Sequence, residues 1–127
     1  MIEEKQQIYA EHIMLGSLTI GANMQTIKTL FSCREQCEEY YSYNGQHEIL
    51  LEISFSSSSL MCSFDDNRIC ESAILLFDDE MDFAHYLEFC CDTFSKHEML
   101  NGWKVNNCVI KKYINGQEYG LLFLPLS

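Results

Sequence analysis

CESAILLFDDEMDFAHYLEFCCDTF, residues 70–94, is the stretch on which the fold turns. Its first third runs apolar through Ala73, Ile74, Leu75, Leu76 and Phe77 and stops at the acidic knot Asp78-Asp79-Glu80. A short apolar run ended by turn-forming residues reads as a strand, and one that is apolar on both sides reads as a central strand. Beyond the knot the spacing changes. Phe83, Leu87, Cys90 or Cys91, and Phe94 recur at three- and four-residue steps, with His85, Glu88 and Asp92 on the opposite face. That is an amphipathic helix, and Asp78 or Asp79 is placed to cap it. The carboxylates that follow sit at the positive end of the helix dipole, where each contributes a few tenths to about 1 kcal/mol.

Working back from Cys70, the period is 2. Leu60, Cys62 and Phe64 alternate up to the turn signal Asp65-Asp66-Asn67, and before the serines 56–59 His47, Ile49, Leu51, Ile53 and Phe55 alternate with Glu48, Leu50, Glu52 and Ser54. These segments read as two strands with one buried face each. From Asn23 to Tyr43 the apolar positions Met24, Ile27, Leu30, Phe31, Cys37 and Tyr41 fall at helical steps, with Asn23 as N-cap and Asn44-Gly45 as the stop. Ser32 followed by Glu35 is a capping-box pattern, which allows two helices broken near Ser32 instead of one. Residues 2–15 read as a helix with Ile8, His12 and Leu15 on one stripe, or as a strand running on through Leu18 and Ile20.

Working forward, Cys108–Ile114 and Gln117–Leu124 flank Asn115-Gly116, the strongest short-range hairpin signal. A type I′ turn there puts Ile110 opposite Leu121 and Cys108 opposite Phe123, with Lys111, Tyr113 and Glu118 on the other face. The predicted fold is α+β in a single domain. It has one antiparallel sheet of about five strands, a three-strand meander plus the C-terminal hairpin, with two or three helices packed on one face.

Charge and thiols bound the function. The formal net charge is -11, and it is uneven: residues 1–100 carry 18 carboxylates against five Lys or Arg, whereas residues 101–127 carry Glu118 against Lys104, Lys111 and Lys112. Such a field repels nucleic acid and anionic lipid and attracts basic partners. The seven cysteines are an odd number, and Met1–Gln7 is polar and acidic rather than an apolar leader, which together point to a reducing cytoplasm. No apolar run approaches the roughly 20 residues of a membrane helix.

Catalytic and cofactor signatures are not among the motifs. The glycine-rich phosphate loops and the D-x-D-x-D-G calcium loop do not occur, and the four histidines, His12, His47, His85 and His97, carry no local triad signature. Cys33 and Cys37 lie four apart, without the Cys-x-x-Cys spacing of zinc or redox modules. The expectation is a protein that is not an enzyme and uses no cofactor or metal.

Acidic clusters beside tyrosines remain. Glu35, Glu38 and Glu39 come with Tyr40, Tyr41 and Tyr43; Asp78, Asp79, Glu80 and Asp82 come with Tyr86. Rigid rings serve as interface anchors and carboxylates steer a basic partner. The candidate contacts are therefore Glu35, Glu38, Glu39, Tyr40, Asp78, Asp79, Glu80 and Asp82.

In size, acidity and reduced thiols the chain resembles the small immunity proteins with which bacteria neutralise contact-dependent toxins. That resemblance implies a cytoplasmic inhibitor that covers the basic active-site cleft of a toxin domain, such as a nuclease. The chain also resembles the acidic chaperones of type III secretion, which hold an extended effector segment. Their element order is helix, three strands, helix, two strands, helix. This chain departs from it by an extra helical segment before the strands and by closing on Pro125-Leu126-Ser127.

Overall fold

In the computed structural model the described residues are 2–97, 99 and 101–126, with side chains described from Lys5 onward. The chain begins with helix α1 (Ile2–Thr19), followed by the short helix α2 (Met24–Leu30). Four strands come next: β1 (Glu35–Tyr43), β2 (Gln46–Ser54), β3 (Ser58–Phe64) and β4 (Cys70–Phe77). Helix α3 (Glu80–Thr93) leads to β5 (Lys96–His97), β6 (Gly102–Val105), β7 (Cys108–Asn115) and β8 (Glu118–Pro125). All strand pairs are antiparallel, in one eight-stranded sheet of order β1-β2-β3-β4-β8-β7-β6-β5.

The fold remains α+β, but the expected five-stranded sheet is corrected to eight. One added strand, β1, comes from the segment expected to continue the second helix. The others, β5 and β6, are too short to show a period: two and four residues.

The apolar run at residues 73–77 is indeed central, since β4 pairs with β3 on one side and β8 on the other. One face of the sheet presents Leu51, Ile53, Leu60, Cys62, Ala73, Leu75, Leu121, Phe123, Cys108 and Ile110, all buried. The three helices lie across that face. From α3, Phe83 stacks toward Phe77 and Tyr119, and Tyr86 toward Phe77. The buried positions of α3 are Phe83, Tyr86 and Cys90, so its stripe is turned slightly from the expected one and takes in Tyr86.

Helix α1 turns inward a face that hydropathy does not mark. His12, Ile13, Gly16 and Thr19 are buried, while Ile8, Met14 and Leu18 are 48%, 43% and 51% exposed. Gly16 makes this possible: a Cβ there would sit 2.7 Å from Phe123 Cζ, so only glycine lets the helix backbone rest on that ring. Gly21, at φ +84°, then turns the chain. Gly21 N donates to Cys70 O at 2.8 Å and Cys70 N to Ala22 O at 2.8 Å, clamping the α1–α2 connection to the start of β4. Helix α2 opens with Asn23, whose side chain accepts from Thr26 N at 2.8 Å, and buries Met24 and Ile27.

The C-terminal hairpin forms with a different turn. Asn115 pairs with Glu118, so the turn residues are Gly116 and Gln117, and only Gly116 takes positive φ, at 63°. The register is Ile110 to Phe123, two residues from expectation, and Lys112 faces Leu121. A shift of two preserves the faces, and Cys108, Ile110, Leu121 and Phe123 still share the core side.

Candidate protein-binding surface

The acidic candidates do not form one patch. Glu35, Glu38, Glu39 and Tyr40 lie on β1, an edge strand with no strand on its outer side among the described residues. Asp78, Asp79, Glu80 and Asp82 lie at the β4–α3 junction. Three strand spacings separate β1 from β4, about 14 Å at 4.8 Å each.

The junction cluster is accounted for by the helix it starts. Asp79 Oδ1 accepts from Met81 N at 3.0 Å as the N-cap, and Glu80 and Asp82 occupy the first turn. Asp78 is held by its backbone, whose N–H donates to Ser57 O at 3.2 Å. Tyr86, expected to accompany this cluster at the surface, is only 4% exposed. It accepts or donates a hydrogen bond with His12 Nδ1 at 2.9 Å, and burial raises its pKa.

On β1 the alternation of the strand divides the candidates between two faces. Glu38 and Tyr40 turn toward the helices. Lys28 of α2 ion-pairs with Glu38 and, with Arg68 adding a smaller pull, holds its carboxyl below the usual range. The Arg68 guanidinium lies 5.4 Å from the Tyr40 ring centre. Glu35, Glu39, Tyr41 and Tyr43 take the opposite face. There the Tyr41 hydroxyl donates to Glu39 Oε2 at 2.9 Å, and that carboxylate raises the tyrosine pKa.

β1 and β2 also outrun the sheet. The last β2–β3 pair is Ile49 with Phe64, so Tyr41–Tyr43 and Gln46–Glu48 pair only with one another. Asn44 and Gly45, both with positive φ (51° and 78°), close this two-stranded ribbon. Tyr40, Tyr41 and Tyr43 are 54%, 51% and 78% exposed along it. Tyr41, Tyr43 and Glu48 therefore extend the face that Glu39 begins, while Glu38 and Tyr40 lie on the other. The signal that could have located the ribbon is Asn44-Gly45, read as a helix stop although the same dipeptide is a hairpin signal.

Other features lead elsewhere. An open groove of about 380 Å³ between α1 and α3 is lined by Lys5, Tyr9, His85, Glu88, Phe89 and Asp92. His12 is stacked on Phe55 with ring centres 4.3 Å apart. Burial lowers its pKa, the Arg34 charge adds to this, and Glu11 opposes it. Cys62, Cys70, Cys90 and Cys108 are buried free thiols, whereas Cys33, Cys37 and Cys91 are exposed. The hydrogen bond to Cys70, with burial, pushes the Cys62 thiol well up, and burial alone carries Cys108 to about 11 and, as the main cause, Cys90 to about 12. Cys33 and Cys37 do not share a helix face: Cys33 is in a turn and Cys37 on β1.

Among the described residues no group of three His, Cys, Asp or Glu is placed to hold a metal ion, and no helix is long and apolar enough to cross a membrane. Compared with protein-family models, curated proteins and solved structures, the chain matches none.

Proposed function

We propose that this chain is a cytoplasmic binding protein that neutralises a toxic protein domain, holding the basic surface of that domain against its β1–β2 ribbon. The observation that carries the reading is the ribbon itself, where Tyr41 and Tyr43 stand exposed on the same face as Glu48 and, at its base, Glu39, with Tyr40 exposed on the other face. Tyrosine loses little conformational entropy on binding and supplies a large contact area, so exposed tyrosines are suited to anchor a partner. The carboxylates around them would guide a basic domain into register and discourage acidic ones. A net charge of -11 favours the same class of partner over nucleic acid or an anionic membrane. The inhibitor covers its target and performs no chemistry. A type III chaperone-like role has less support, because two helices and four strands, rather than one helix and three strands, precede α3.

Co-expression with the product of the adjoining reading frame is the test. That product is expected to be toxic alone, tolerated with this protein, and copurified with it. Replacing Tyr41 and Tyr43 together by alanine should weaken the complex by about 2 kcal/mol or more, roughly thirtyfold in Kd, without loss of fold. A harmless neighbour, or one equally lethal with this protein present, would sink the toxin reading. Undiminished binding by the folded double variant would remove the ribbon from it.

A further inference from the structure

The face of the sheet away from the helices is not the polar surface that a solvated antiparallel sheet normally presents. Following the strand pairing across it, one row reads Cys37, Glu52, Met61, Ile74, Leu122, Lys111. The next row reads Glu39, Leu50, Ser63, Ser72, then Leu124, Val109, Lys104; Ser72 and Leu124 adjoin the paired Ala73 and Phe123. On the other side lies Glu35, Ser54, Ser59, Leu76, Gly120, Tyr113. Leu50, Met61, Ile74, Leu76, Leu122 and Leu124 are each partly exposed, and Val109 is buried. The Glu52 row is thus apolar in the middle, like the centre of an interface, the Glu39 row passes through Ser63 and Ser72 there, and both carry a carboxylate toward one end and a lysine at the other.

The end charges are opposite in sign and matched in position. In the Glu52 row, Glu52 on β2 and Lys111 on β7 stand two strands either side of β4. In the Glu39 row, Glu39 on β1 and Lys104 on β6 stand three strands either side of β4. Both pairs are centred on β4. No intramolecular ion pair among the described residues engages Glu39, Glu52, Lys104 or Lys111.

A surface whose charges change sign about its own midline is complementary to itself. We infer that the helix-free face binds a second copy of this chain in a two-sheet sandwich, with the twofold axis running roughly along β4. Rotation about that axis brings Glu39 over Lys104 of the other copy and Glu52 over Lys111 of the other copy, and the reciprocal pairs form at the same time, as an isologous interface requires. Ile74 and Leu76 then meet their own counterparts on the axis, and Met61 meets Leu122. An axis across the strands would instead stack acid on acid. Aligned sheets pack about 10 Å apart with their strands within about 30° of each other, so the rows remain in reach near the centre. Seven strands by three rows is a patch of roughly 29 by 20 Å, or about 1,200 Å² over both copies, which clears the size of a specific contact. The free ribbon from Tyr41 to Glu48 lies beyond these rows, which share only Glu39 with the proposed partner surface, so Ile74→Glu and Lys104→Glu test the dimer without touching the ribbon.

Sedimentation equilibrium of the full chain across the micromolar range is the test. The expected result is a reversible dimer. Ile74→Glu sets two carboxylates against each other on the axis and should weaken association at least about a hundredfold. Because that variant could also disturb the fold, a charge-swap series decides independently. Glu39→Lys and Lys104→Glu should each weaken the dimer, and the double variant should restore it, since every pair is then reversed. A monomer at all concentrations would overturn the inference. So would a folded Ile74→Glu protein that dimerises like the parent, single charge variants that associate as tightly as the parent, or a double variant as weak as the singles.

Discussion

His12 carries a titratable ring into the packed layer between α1, α3 and the sheet, 8% exposed and bonded to Tyr86. Burial first, then the Arg34 charge, lowers its pKa in the folded protein, with Glu11 in partial opposition. The unfolded chain, with an ordinary imidazole near 6.5, therefore takes up the proton first as pH falls. The stabilisation is complete above about 6.5, is lost as pH drops toward the depressed folded value, and changes no further below it, with a slope of at most about 1.4 kcal/mol per pH unit. Urea midpoints on either side of about 6.5 should fall more for the parent than for His12→Gln over the same window. Equal falls would place the pH dependence in the carboxylates. His12 lies on the stripe expected from sequence, but the rest of the inward face of α1 was hard to read because Ile13, a glycine and a threonine complete it while Ile8 is exposed. Gly16 is chosen by the shape of Phe123, a residue more than a hundred positions away, and no local pattern contains that constraint.

At the scale of elements, the acidic knot after β4 gives the clearest forecast. Asp79 makes the capping bond to Met81 N, whereas Asp78 is held through its backbone N–H to Ser57. Asp79→Ala should therefore cost about 1 kcal/mol in a denaturant titration and Asp78→Ala much less. Equal losses would show that the cap is shared. β2, β3 and α3 were legible because each has one wet side and one dry side, which writes a period into the chain, and β4 because its apolar run stops at the acidic junction. β1 is not in that situation. As an edge strand that outruns its neighbours, it is exposed on both faces over most of its length, so Glu35–Tyr43 carries no period-2 signal. Its Glu and Gln content and the spacing of Cys37 and Tyr41 imitate a helix. For a related reason Asn44-Gly45 reads as a helix stop, and Asn115-Gly116 marks a hairpin whose turn lies one residue further on. Asn44-Gly45 closes a hairpin with positive φ at both residues, while at Asn115-Gly116 only the glycine is in that region, and pairing with β4 fixes β8 in a register the turn residues alone do not specify. The acidic and tyrosine-rich composition did lead to β1 as a candidate surface, but not to the division of its side chains between two faces.

For the whole molecule, strand order converts a charge asymmetry along the chain into one across the sheet. The basic segment after residue 100 supplies β6 and β7 near one edge, and Glu35, Glu38, Glu39, Glu48 and Glu52 lie on β1 and β2 at the other. This separation gives the helix-free face its two signs and leaves the ribbon acidic. It also means that few charges are neutralised locally. Lys28 with Glu38 is the ion pair found among the described residues, against a net charge of -11. Self-repulsion should then outweigh ion pairing in the stability of the monomer. Raising NaCl from about 0.1 M to about 1 M shortens the screening length from about 10 Å to about 3 Å. In dilute protein, the thermal and urea midpoints are expected to rise over that range. Association of a basic partner with the ribbon should respond in the opposite direction, with an on-rate that falls as salt is added. A midpoint that falls with salt would mean that favourable pairs dominate the fold, and an on-rate that is flat would mean that the ribbon carboxylates do not steer. Opposite signs in the two measurements, made on the same protein in the same buffers, would locate the unbalanced charge on the surface that meets the partner.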